Sequence, residues 1–164
     1  MQNIWAPWRL KYIKSIGKDV GCFFCEYLRS KNDKKNFVLF RRKHTFCLLN
    51  LFPYANGHLM VAPYKHTGSL DNLSEKELAD ILISTRLGKR ILKKALDPIG
   101  FNIGMNIGRV AGAGVDHHVH LHIVPRWHGD MNYMPLIAET KVIPEAIEKT
   151  YEKLKRAAKS VLSR

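Results

Sequence analysis

Histidines 118, 120 and 122 alternate with Val119, Leu121 and Ile123 in one short run, His118-Val-His-Leu-His-Ile-Val124. No other segment of this chain constrains its fold as strongly. A β-strand has a side-chain period of two, so three imidazoles at this spacing stand on one face and the aliphatic side chains on the other. A helix does not separate them this way, because residues two apart do not share a helical face. The spacing therefore predicts a strand whose aliphatic face enters a core while its histidine face lines a site.

The rest of the chain supplies partners for that strand. Phe37–Arg41, Phe46–Asn50 and His58–Pro63 read as strands, with Pro53-Tyr-Ala-Asn-Gly57 as a turn between the last two. Cys22–Ser30 reads as a short helix, followed by a polar turn over 31–36. Ser74 and Glu77 form a capping box that opens a long helix. Leu78, Ile81, Leu82, Ile91, Leu92 and Ala95 give it an apolar stripe until Asp97-Pro98 stops it. Phe101–Ile107 and His117–Pro125 are two more strands. A last helix over about residues 144–163 buries Ile147, Tyr151, Leu154, Ala158 and Val161. The pattern is α+β, with a largely antiparallel sheet and one long helix covering one of its faces. A length of 164 residues suits a single domain spanning 1–164, with the last helix as an appended element.

Asn106-Ile-Gly-Arg-Val-Ala-Gly-Ala-Gly114 leads into the histidine run. A glycine-rich turn lets backbone N–H groups converge without a Cβ in the way, which suits a phosphate. Beside three imidazoles, such a loop points to chemistry at phosphorus. A His-x-His metal hydrolase needs a nearby carboxylate, and Pro125 and Arg126 follow His122 instead. Nucleophilic catalysis fits better: a neutral imidazole attacks phosphorus while its other nitrogen donates a hydrogen bond. Asp116-His117-His118 matches a triplet of certain phosphoesterases, but their Asp-rich companion motifs are missing here. Cys22-Phe-Phe-Cys25 is half of a tetrahedral zinc site. Histidines are the available completing ligands, with His66 and His118 preferred and His44 and His58 as rivals. Cys47, in an apolar strand, reads as a core thiol.

The charge balance fits a phosphorylated substrate. Lys and Arg number 27 against 14 acids, a net charge of +13, which attracts polyanions. The basic runs are dispersed and carry no interleaved aromatics, so a base-stacking platform for nucleic acid is not indicated. No apolar run approaches bilayer length, which argues against a membrane partner. Three cysteines with no secretory pattern point to a reducing compartment, so a cytoplasmic location is expected.

The chain resembles the histidine triad (HIT) family, whose signature is His-φ-His-φ-His-φ-φ with φ hydrophobic; residues 118–124 satisfy it. Asn50-Leu-Phe-Pro-Tyr-Ala-Asn-Gly-His58-Leu-Met-Val-Ala-Pro63 is similar to that family's nucleoside-binding segment. Pro125-Arg-Trp-His-Gly-Asp130 with Asn132, and Trp5-Ala-Pro-Trp-Arg9, are similar to the branch of diadenosine tetraphosphate phosphorylases and Fhit-like hydrolases. The resemblance implies a homodimer in which two five-stranded sheets join. It implies that His120 is the nucleophile at the α-phosphorus of a nucleotide, with His122 and Asn106 on phosphate oxygens. The backbone of Gly112, Ala113 and Gly114 would assist, Asn50 would hold the ribose, and Phe46 would line the base pocket. Cys22, Cys25, His66 and His118 match the ligands of a structural zinc, and no organic cofactor is implied. Many relatives carry Gln-Ser or Gln-Thr where this chain has Ala113-Gly114, and the stretch 111–118 is one residue longer than in the common hydrolases.

The expected activity is cleavage of dinucleoside polyphosphates at the α-phosphate through a nucleotidyl-histidine, with inorganic phosphate or water as acceptor. A nucleoside phosphoramidase acting on AMP conjugates is the alternative within the same chemistry. A zinc-stabilised module that binds nucleotide or RNA without turnover is the alternative outside it.

Overall fold

The computed structural model describes residues 21–130 and 143–163. The expectations placed on Trp5–Arg9 and on Asn132 lie outside these residues. Helix α1 spans Phe23–Ser30, followed by strands β1 (Val38–Arg41), β2 (Thr45–Leu49) and β3 (Leu59–Pro63). Helix α2 runs over Glu75–Leu96, then β4 (Gly100–Met105), β5 (Leu121–Arg126) and helix α3 (Ile147–Leu162). The strands form one antiparallel sheet in the order β1-β2-β3-β5-β4, so the α+β expectation holds.

Every residue of β2 and β3 is buried, because both faces of the sheet are covered. Cys47, Leu49, Leu59, Val61, Leu121 and Ile123 point toward α2 and α3, which bring Ile81, Ile91, Leu92, Tyr151 and Leu154. Phe46, Leu48, Met60 and Ala62 point the other way, where Phe24 of α1 joins them. Cross-strand pairing of Met60 with His122 places the histidine side of β5 on this second face.

The capping box of α2 is present: Glu77 N–H donates to Ser74 Oγ at 3.4 Å and Ser74 N–H donates to Glu77 Oε2 at 2.8 Å. The apolar stripe needs one correction. Leu82 is 66% exposed, since it lies about 100° around the helix from Ile81. The buried line instead runs through Ile81, Ser84, Thr85, Gly88, Ile91 and Leu92. Its middle consists of small residues, and there the helix comes closest to the sheet. Asp80 anchors the start of α2: its carboxylate accepts from Arg42 Nε at 2.8 Å, His44 N–H at 3.0 Å and Thr45 Oγ1 at 2.9 Å. Burial pushes that carboxyl up, but these donors outweigh it and hold it below its ordinary range.

The histidine run is only partly a strand. Pairing of β5 with β3 begins at Leu121, so His118, Val119 and His120 lie upstream of the ladder and only His122 lies within it. The extended spacing persists, since Val119 packs with the helix-side core while Phe24 meets the rings of His118 and His120.

Candidate active site and metal centre

His118 has both ring nitrogens engaged. Its Nε2 lies 2.9 Å from the carbonyl oxygen of Pro63, which accepts only from an N–H. Nδ1 is therefore the unprotonated nitrogen, and it faces Cys22 Sγ at 3.2 Å and Cys25 Sγ at 3.7 Å. Cys25 Sγ is also 3.3 Å from His66 Nδ1, and the four ligand atoms all lie within 4.8 Å of one another. Two vertices of a tetrahedral zinc site, one sulfur and one nitrogen, sit about 3.6 Å apart for ordinary Zn–S and Zn–N bonds. The donor set and its spacing fit zinc, with the Pro63 carbonyl orienting the ligand ring from behind. Cys22 caps α1 without a side-chain hydrogen bond, which leaves its sulfur for this cluster. Of the two rival ligands, His58 is engaged elsewhere and His44 offers its backbone N–H to Asp80.

His120 is 6% exposed, and its Nδ1 is 2.9 Å from the carbonyl oxygen of His118. That bond places the proton on Nδ1 and leaves the Nε2 lone pair available. Burial pushes the His120 pKa down, so the ring is neutral near pH 7.

His122 carries its proton on the opposite nitrogen. The backbone N–H of Tyr54 donates to His58 Nδ1 at 3.0 Å, so His58 holds its proton on Nε2. That Nε2 lies 2.9 Å from His122 Nδ1 and donates to it. His122, with its pKa pushed down to about 4 by burial and then by neighbouring His120, is neutral and carries its own proton on Nε2. Two imidazoles whose centroids are 4.8 Å apart thus offer a lone pair and an N–H side by side.

The glycine-rich loop over 106–114 and the segment over 50–63 make contacts of their own. Gly108 and Gly112 take φ of +83° and +87°, closing the loop into a 3₁₀ turn over Arg109–Ala111. Gly112 N–H donates to Arg109 O at 2.9 Å and Ala113 N–H to Gly108 O at 3.3 Å, within the loop. Asn106 Nδ2 reaches Gly112 O at 3.5 Å, and Arg109 pairs with Asp116 at 2.9 Å. Asn50 turns toward its own segment, accepting from Phe52 N–H at 2.9 Å and lying 3.3 Å from His58 Nδ1. Phe46 has no exposed surface; it is packed between Phe24 and Tyr64 and presents nothing to a base in this conformation. Residues 125–130 are held together by Arg126 and Asp130, at 2.6 and 2.9 Å.

Sequence reasoning missed His58 as a partner of His122 and Phe24 as the ring behind two histidines. It also missed Gly68, where a Cβ would lie 2.5 Å from Asp116 O. His58 immediately precedes β3, two residues before Met60, and only the β3–β5 register, which a sequence does not display, brings it to His122.

AP-4-A phosphorylase of Mycobacterium tuberculosis is 35% identical over 158 residues, covering 92% of this chain and 80% of the relative. Bis(5'-nucleosyl)-tetraphosphatase (asymmetrical) of Schizosaccharomyces pombe is 34% identical over 100 residues, 61% of this chain and 54% of the relative. The crystal structure of a zinc-bound histidine triad family protein from Mycobacterium smegmatis shares the fold, with a TM-score of 0.71 and 24% identity, over 87% of this chain and 96% of that one. A HIT domain matches residues 31–129, which include all of the sheet and the three histidines, and the chain belongs to the HIT domain family.

Proposed function

We propose that this protein cleaves dinucleoside polyphosphates of the diadenosine tetraphosphate kind at the α-phosphate, through a nucleotide carried on His120. The complementary tautomers of His120 and His122 carry this reading, and two relatives named for tetraphosphate phosphorolysis and hydrolysis support it. The lone pair on His120 Nε2 attacks the α-phosphorus, and the bond to the bridging oxygen breaks. The leaving nucleoside polyphosphate departs as a stable anion and needs no proton. The proton on His120 Nδ1 stays with the His118 carbonyl and shares the positive charge of the phosphorylated ring. His122 Nε2–H donates to a phosphoryl oxygen as charge builds there. Inorganic phosphate or water then attacks the same phosphorus, and the P–N bond returns its electron pair to His120.

Cys22, Cys25, His66 and His118 would hold zinc, which ties α1 to the catalytic run when bound. The exposed loop around Asn106 and Arg109 is where the polyphosphate would lie, and the +13 charge favours such an anion. We further propose a homodimer joined through β4 and a cytoplasmic location. Among the described residues no helix is long and apolar enough to cross a membrane.

The test is product analysis on diadenosine tetraphosphate with and without phosphate. ADP plus ATP appearing only with phosphate identifies a phosphorylase, and AMP plus ATP in both cases identifies a hydrolase. His120→Asn should lower turnover by about four orders of magnitude while nucleotide binding survives. Full activity in that variant overturns the mechanism. Turnover of AMP–amine conjugates alone would shift the substrate to phosphoramidates.

A further inference from the structure

Helix α2 separates its charges along its length. Its acids, Glu75, Glu77 and Asp80, lie in the first two turns, whereas Arg86, Lys89, Arg90, Lys93 and Lys94 follow with no acid among them. All five cations are exposed. Arg86, Arg90 and Lys94 repeat every four residues, so they stand about 6 Å apart along one row. Like charges at this spacing destabilise a helix. The helix dipole favours cations in the last turn, which accounts for Lys93 and Lys94 but not for Arg86 or Arg90.

Part of that row opens onto a cleft. Arg90, Lys93, Lys94, Ser160 and Val161 line a space of about 300 Å³ between α2 and α3, with no carboxylate in its lining. Lys93 is compensated, because it pairs with Asp97 at 2.5 Å and donates to Pro98 O at 3.1 Å. Lys94 is not compensated, since its ammonium donates to the neutral Ser160 Oγ. Ser160 accepts in that contact and keeps its own O–H to donate. The Arg90 guanidinium has no hydrogen bond or ion pair among the described residues. A guanidinium, an ammonium and a hydroxyl hydrogen thus converge on one space as donors, with no anion to accept from them.

That combination suits phosphoryl oxygens. A guanidinium fork takes two oxygens of one phosphoryl group, and an ammonium beside it takes a further charge as a compact donor. The sheet separates this cleft from the histidines. Gly88 and Ile91 of α2 pack on one face of the sheet, while the Met60–His122 pair stands on the other.

We propose that the cleft between α2 and α3 is a second anion site, remote from the histidines, which takes a short polyphosphate chain, either free or as the tail of a nucleotide. Arg90 holds one phosphoryl group, and Lys94 with Ser160 holds the next. The row leading back to Arg86 extends the positive surface along α2 for a longer chain. No reaction takes place there, so the site does not depend on the tetraphosphate reading.

The test is a titration of the full chain with inorganic tripolyphosphate, followed by 1H–15N correlation of the backbone amides, with chloride at matched ionic strength as the control. Amides of Arg90, Lys94 and Ser160 should shift in a saturable way, with a midpoint of their own, distinct from that of any shift over 106–114. Arg90→Gln combined with Lys94→Gln should weaken this response by about 10-fold or more and leave the response over 106–114 as it is. That double variant relieves like-charge repulsion, so its thermal midpoint should not fall. Ser160→Ala keeps every charge and should weaken binding by about 10-fold. An unchanged midpoint in Ser160→Ala identifies diffuse attraction and overturns the site. Shifts confined to 106–114, or reproduced by chloride, overturn it too. A parallel titration with ATP separates the two sources of the ligand. Tighter binding of ATP than of tripolyphosphate identifies a nucleotide tail, and the reverse order identifies the free chain. An RNA oligonucleotide that shifts these amides when tripolyphosphate does not would refute the proposal.

Discussion

At the scale of single residues, three neighbouring histidines differ because each has a different hydrogen-bond partner. His118 gives its Nε2–H to a carbonyl and turns Nδ1 to sulfur; His120 gives its Nδ1–H to a carbonyl; His122 receives at Nδ1 from His58. Burial keeps all three rings neutral by depressing their basicity, His118 and His122 to about 4. For His122 this has a consequence for stability. Its unfolded value is near 6.5, so as pH falls below that the unfolded chain takes up a proton that the folded ring refuses. Stability contributed by the neutral ring is intact above about pH 6.5 and is lost as pH falls toward 4. Urea midpoints at pH 7 and pH 5 should therefore fall further for wild type than for His122→Asn. Equal drops in the two proteins would place the acid sensitivity elsewhere.

Among the elements, α2 decides how closely the sheet is covered. A Cβ built on Gly88 would lie 2.9 Å from Ile123 Cδ1, 3.5 Å from Leu59 Cδ1 and 3.6 Å from Cys47 Sγ. All three neighbours are fully buried on the helix side of the sheet, with little room to yield. Glycine in a helix normally costs about 0.5–1 kcal/mol relative to alanine, and here that cost is offset by close packing. Gly88→Leu should destabilise the protein by about 2–3 kcal/mol, because overpacking outweighs the gain in helix propensity. Chemical denaturation reads this directly, and an unchanged midpoint would mean that α2 can lift from the sheet freely. Such a lift would also move Ile123, which neighbours His122 in β5.

At the scale of the molecule, the two edges of the sheet are treated differently. Edge strand β1 is covered: Tyr151 Oη donates to Val38 O at 3.1 Å, and Lys155 Nζ donates to Leu39 O at 2.8 Å and Val38 O at 3.1 Å. The C-terminal helix α3 contributes Tyr151, Leu154, Ala157, Ala158 and Val161 to the helix-side core. Among the described residues β4 has a neighbour on one side only, and its Asn102, Ile103 and Gly104 are exposed. An open edge with an exposed isoleucine invites pairing with a second sheet. Sedimentation should give twice the mass of one chain, and Ile103→Lys should shift the species toward monomer. A wild-type monomer at micromolar concentration would refute the homodimer.

Period alone separated the histidine side from the aliphatic side, because alternation in an extended chain is a local property of residues 118–124. The turns, the capping box at Ser74, and the placing of nearly every helix and strand were equally local, and they are where the residues suggested. Leu82 was misjudged, since a stripe drawn from apolar residues overlooks Ser84, Thr85 and Gly88, whose small size marks the true contact line. The four Cys and His ligand candidates were legible by residue type, but their meeting within 4.8 Å required α1 to fold back over the sheet. Tertiary structure alone decided which nitrogen of each histidine bears its proton. That depends on the carbonyls of Pro63 and His118 and on the His58 ring, and strand register and loop closure bring these partners to the histidines.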